Sequence, residues 1–119
     1  MSKQTRSPRQ RLHDILDAIE AIERYAAKKD LSAYRRDVML RDAVERNLER
    51  LSEASRHLPP SLKRLRPETP WRDIADLGNV LRHAYDRVDE RIVWDTLKKD
   101  LPSLKTAIEA LIRHVEKNG

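Results

Sequence analysis

The chain contains no cysteine, no phenylalanine and only two glycines among its 119 residues. Without thiols there are no disulfides, zinc–thiolate sites or cysteine nucleophiles, and the composition suits a reducing cytoplasm. Scarce glycine and a 4% aromatic content argue against a β-sandwich, which needs turn residues and bulky strand positions. No apolar run approaches the roughly 20 residues that span a bilayer, so no membrane association is expected. Residues 1–12 are basic but carry no apolar segment of a secretion signal. A Gly-rich phosphate loop and a Ser nucleophile elbow are also missing. His13, His57 and His114 are scattered and form no His-x-x-x-His pair, so neither a metal nor another cofactor is expected.

What the chain does have is charge and helical periodicity. Charged residues make up 38%, and with so little glycine this composition calls for long charged helices in one domain. The net charge of +5 is unevenly placed. Lys3, Arg6, Arg9 and Arg11 stand in an acid-free N-terminal stretch, and Arg56, Lys63, Arg64 and Arg66 in a second one. A flexible basic tail is expected over 1–8 and a single helical domain over 9–119. Basic runs suit phosphate backbones, because binding releases condensed counterions. That makes Arg56, Lys63, Arg64 and Arg66 candidate RNA contacts, although the same residues also read as solvated surface.

Apolar spacing of three and four predicts the helices. The first covers Pro8 to Lys29 through Leu12, Ile15, Leu16, Ile19 and Ile22, with Ser7 as cap and Lys28 and Lys29 in its last turn. A second covers Ser32 to His57, with a kink or separate turn at 32–36 and Val38, Leu40, Val44, Leu48 and Leu51 as its stripe. Asp30 or Ser32 caps it, and Leu58-Pro59-Pro60 ends it. A basic connector follows, with one helical turn at 61–65. The third helix starts near Pro70 and buries Ile74, Leu77, Leu81 and Ala84, with Val80 beside them. After a turn over 85–90, a short helix to Lys98 carries Ile92, Val93 and Trp94. A final helix from Asp100-Leu101-Pro102 to Lys117 repeats Leu104, Ile108, Leu111 and Val115. Trp71 and Trp94 read as packing anchors. Glu45, Glu49 and Glu53, with Arg41 and Arg46, read as a solvated face, while Asp42 and Glu53 border the stripe where a partner Arg or Tyr could dock. The expected fold is all-α: an antiparallel helical bundle of four main helices plus a short one.

The stretch Gly78-Asn79-Val80-Leu81-Arg82-His83-Ala84-Tyr85 gathers the residues most capable of chemistry. His83 suits proton transfer, because a free imidazole titrates near neutral pH. Tyr85 offers a hydroxyl, Asn79 an amide one turn before His83, and Arg82 a cation for phosphate. Spacing alone also allows a structural, hydrogen-bonded His–Tyr pair. Gly78 in mid-helix costs about 1 kcal/mol relative to alanine, and either permits close backbone approach or is a tolerated flaw.

Together these segments resemble a HepT-like member of the HEPN superfamily across nearly the whole chain. The resemblance runs through 12–19, 41–49 and 52–54. It continues through Pro70-Trp71-Arg72-Asp73-Ile74, Leu81-Arg82-His83-Ala84-Tyr85, Ile92-Val93-Trp94 and Asp100-Leu101-Pro102-Ser103-Leu104. It implies a small helical homodimer with a cleft at its interface, acting as the toxin of a type VII toxin–antitoxin pair. The implied activity is metal-independent RNA cleavage in the cytoplasm. The implied partner is a minimal, MntA-like nucleotidyltransferase antitoxin that neutralises the toxin by attaching AMP to the motif tyrosine. In the family motif an Arg precedes the His by five positions. His83 and Tyr85 match the His and Tyr, and Asn79 matches the polar residue that often follows the Arg. The Arg itself is replaced by Gly78. Two readings follow. In one, His83 works with Arg82, which is rotated about 100° from it on an ideal helix and reaches into the room left at Gly78. In the other, the chain is a catalytically inactive HEPN module that binds RNA or a nucleotidyltransferase-like partner.

Overall fold

The computed structural model describes residues 6–82 and 89–118, with Arg82 described by its backbone alone. Among the described residues the chain forms seven helices and no strand: α1 (Pro8–Ala26), α2 (Leu31–Arg36), α3 (Val38–Arg56), α4 (Pro60–Lys63), α5 (Trp71–Arg82), α6 (Glu90–Lys99) and α7 (Leu101–Asn118). The long helices α1, α3, α5 and α7 are the four expected members of an all-α bundle, α6 is the short fifth, and α2 and α4 are brief additions. None is long and apolar enough to cross a membrane.

Local chemistry sets the helix boundaries. The Ser7 hydroxyl accepts the Gln10 N–H at 3.1 Å and the Gln10 side chain accepts the Ser7 N–H at 2.7 Å, so a reciprocal cap opens α1. The helix ends at Ala26, earlier than predicted. Lys28 adopts φ 61, which a helix cannot contain, so Lys28 and Lys29 lie beyond the last turn. Asp30 then caps α2 by accepting the Ala33 N–H at 2.8 Å.

The kink or separate turn expected at 32–36 is a helix of its own, α2, divided from α3 at Asp37. Its N–H closes α2 on the Ala33 carbonyl at 3.1 Å, while its carboxylate opens α3 by accepting the Leu40 N–H at 3.0 Å. One residue thus satisfies two helix ends. Val38, assigned to that stripe, is 57% exposed because it sits in the first turn, before α3 meets its neighbours. Val80 and Ile92 are likewise exposed, while Leu40, Val44, Leu48, Leu51 and Leu81 are buried.

The helix α3 is central. It packs along α1 on one flank and α5 on the other, α1 also packs on α7, and α6 bridges α7 and α2. Tyr34 from α2 is fully buried and packs on Trp94 of α6, with ring centroids 5.3 Å apart, and the Lys98 ammonium lies 4.7 Å from the centre of the Trp94 ring. Trp71 is half-buried and donates its indole N–H to the carbonyls of Lys63 and Arg66, at 3.2 and 3.0 Å. This fixes the start of α5 beside the segment that follows α3, so α5 runs back along α3.

Candidate functional site at the end of α5

Gly78 is buried where α5 meets α3. Its N–H donates to the Ser52 hydroxyl at 3.0 Å, and that hydroxyl donates to the Ala75 carbonyl at 2.9 Å. Ser52 has no exposed surface, so its polar group depends on these two partners. Close backbone approach, one of the two roles open to a mid-helix glycine, is the role Gly78 fills. The space beside it on the α3 side is occupied by Ser52. It is therefore not an open slot for a long side chain.

The opposite face of α5 is open. Asn79 is exposed and Val80 is 59% exposed. Arg82 is the last residue of α5, one turn beyond Gly78. His83 and Tyr85, the proposed proton-transfer group and modification site, lie outside the described residues, as does Ala84. The antiparallel run of α5 brings its C-terminal end level with the Glu45–Leu48 turn of α3, since Gly78 is level with Ser52 and each turn of one helix passes a turn of the other.

That end of α3 carries one partly buried carboxyl. Glu45 is half-buried, and its carboxyl is held above the usual range by burial first and by the neighbouring Asp42 next. Glu49 and Glu90 act in the same sense and Arg41 opposes them. The Tyr34 hydroxyl is also pushed upward, by burial and then by Glu45, and it has no hydrogen-bond partner among the described residues. Arg41 turns its guanidinium to the Tyr34 and Arg35 carbonyls at the end of α2. The solvated face expected for Glu45 with Arg41 therefore does not form. The signal available in sequence was the position of Glu45 next to Val44, at the edge of the apolar stripe.

The basic set is dispersed. Arg56 bonds Glu53, and Arg66 lies 3.6 Å from Glu68. Lys63 is half-buried and Arg64 exposed. Glu53, considered as a dock for a partner cation, is engaged within its own helix. The His57 hydrogen bond, followed by that of Arg56, lowers its pKa. No group of three or more His, Asp or Glu among the described residues is placed to hold a metal ion.

The model of the family described as "Ribonuclease HepT-like" matches residues 15–111. A relative from Thermococcus cleftensis, named "Probable ribonuclease HepT", is 43% identical over 106 residues, covering 89% of this chain and 96% of the relative. A candidate RNase of Methanocaldococcus jannaschii, MJ1380, is 32% identical over 98 residues, covering 82% of this chain and 90% of the relative. No solved structure matches. The match spans α1 through most of α7 and includes the α3–α5 contact and the end of α5, so the chain belongs to the HepT-like ribonuclease family of HEPN proteins.

Proposed function

We propose that the chain is a metal-independent RNA endonuclease and the toxin of a toxin–antitoxin pair, acting in the cytoplasm as a homodimer. The observation that carries this reading is family membership over nearly the whole chain, with Asn79 presented on the open face of α5 just before His83. His83 takes the proton from a ribose 2′-hydroxyl, and Arg82 stabilises the charge that develops on the phosphate. AMP attached to Tyr85 by a nucleotidyltransferase antitoxin would add phosphate charge beside the site and repel RNA.

A second reading has its own observation. Position 78 is committed to packing against Ser52. A chain that spends this position on packing keeps the fold and partners of the family without its phosphate-holding Arg, and would be a non-catalytic module for RNA or a nucleotidyltransferase-like protein.

The deciding experiment is cleavage of RNA by purified wild type, His83→Ala and Arg82→Ala. The first reading expects cleavage by wild type alone. Equal background in wild type and His83→Ala rejects it in favour of the second, and cleavage that survives Arg82→Ala removes Arg82 from the mechanism. With a nucleotidyltransferase partner and ATP, intact mass should rise by whole AMP units in wild type and not in Tyr85→Phe.

A further inference from the structure

We propose that the trough between α1 and α3 binds the sugar–phosphate backbone of single-stranded RNA through Arg11, Arg46 and Arg50. The trough encloses about 530 Å³ between the two helices. Its bottom is lined by Ala18 and Ala54, whose methyl side chains leave room that larger residues would fill.

The charge balance of the trough selects an anion. Four carboxylates border it, and two are already engaged from outside. Arg6 grips Asp14 with two bonds of 2.7 Å, and Arg56 and His57 hold Glu53. That leaves Asp17 and Glu49 against three guanidinia. None of Arg11, Arg46 and Arg50 has an acceptor among the described residues, and the Arg11 Nε is buried without one. Arg46 and Arg50 stand one turn apart on α3, about 6 Å along the axis, so they offer two cations in line to successive phosphates of an extended strand.

The site is separate from the end of α5. On an ideal helix Arg46 and Arg50 lie some 120–160° around α3 from Ser52, which faces Gly78. RNA held in the trough is therefore held away from the proposed reacting bond, as an auxiliary contact. The choice of polyanion rests on the ribonuclease reading, whereas the excess of unpartnered guanidinia does not.

The test measures binding of a fluorescein-labelled 20-nucleotide single-stranded oligouridine by anisotropy, with the full-length His83→Ala chain so that cleavage does not interfere. Arg46→Glu/Arg50→Glu should weaken binding at least tenfold. It should also make the log–log salt dependence shallower by about 1.4, since each single-strand phosphate contact contributes about 0.7. Arg113→Glu/Lys117→Glu, an equal charge change on exposed α7 positions, should do much less. Glu49→Gln should tighten binding, which keeps the proposal testable if the double reversal does not fold. Equal losses in the two double variants, unchanged binding in the first, or no binding by the parent chain would each overturn it. A wild type that binds through the trough but cuts nothing refutes the ribonuclease reading and leaves the trough intact. A wild type that cuts while Arg46→Glu/Arg50→Glu binds as tightly refutes the trough alone.

Discussion

The Ser52 hydroxyl lies 3.0 Å from the Gly78 nitrogen and bridges two points of α5, accepting the Gly78 N–H and donating to the Ala75 carbonyl. A side chain on residue 78 would have to displace this bridge or push the helices apart. The departure from the family motif at position 78 is thus coupled to a packing choice on another helix.

Restoring the motif cation should therefore harm the fold. Gly78→Arg brings a large charged side chain into a buried contact, and overpacking alone costs about 1–3 kcal/mol. The expected result is a Tm at least about 5 °C lower, without a gain in RNA cleavage. Ser52→Ala should cost about 1–2 kcal/mol, because the Ala75 carbonyl and Gly78 N–H lose a buried partner. Thermal unfolding of both variants checks this. A Gly78→Arg protein that melts like wild type and cleaves RNA faster would show that position 78 opens to a cleft after all.

Tyr34 presents the reverse case, a buried polar atom with no partner among the described residues. Its ring is fully buried against Trp94 and accounts for the packing, while the hydroxyl adds a desolvation cost. Tyr34→Phe keeps the ring and removes the cost, so stability should be unchanged or rise by up to about 1 kcal/mol in denaturant unfolding. A loss of more than about 1 kcal/mol would mean that the hydroxyl makes a bond worth keeping.

These cases show which features periodicity conveys. The cap at Ser7 could be read directly, because a side-chain oxygen just before an apolar run has few other uses, while Asp30 was one of two candidates, with Ser32, for the next cap. The break before α3 was legible as the kink or separate turn expected at 32–36, but the double role of Asp37 as an end and a start was not. Val38, Val80 and Ile92 have the right spacing for burial and remain exposed, because spacing names a face without saying whether another helix covers it. Gly78 signalled close approach, yet its partner is a serine 26 residues away, and polar bridges of that separation leave no pattern in the chain. Glu45 looked like one more member of a charged row. Its partial burial and its nearness to Tyr34 of α2 and Glu90 of α6 arise only from tertiary packing.

Glu45 also makes stability depend on pH. Its carboxyl is raised in the folded chain, so the folded state holds that proton more firmly than the unfolded one. The stability linked to that proton is complete below the ordinary value of 4.5 and is lost as pH rises through the raised folded value. At neutral pH the charged form stands half-buried among Asp42, Glu49 and Glu90, with Arg41 as the opposing cation. Glu45→Gln keeps the shape and removes the charge, so it should raise Tm by a few degrees at pH 7–8. The two proteins should converge as pH falls towards 4.5, where wild-type Glu45 is also neutral. Melting curves across that range decide the point. A Glu45→Gln variant less stable than wild type at neutral pH would show that the carboxylate is held by a favourable partner instead of by burial against its like-charged neighbours.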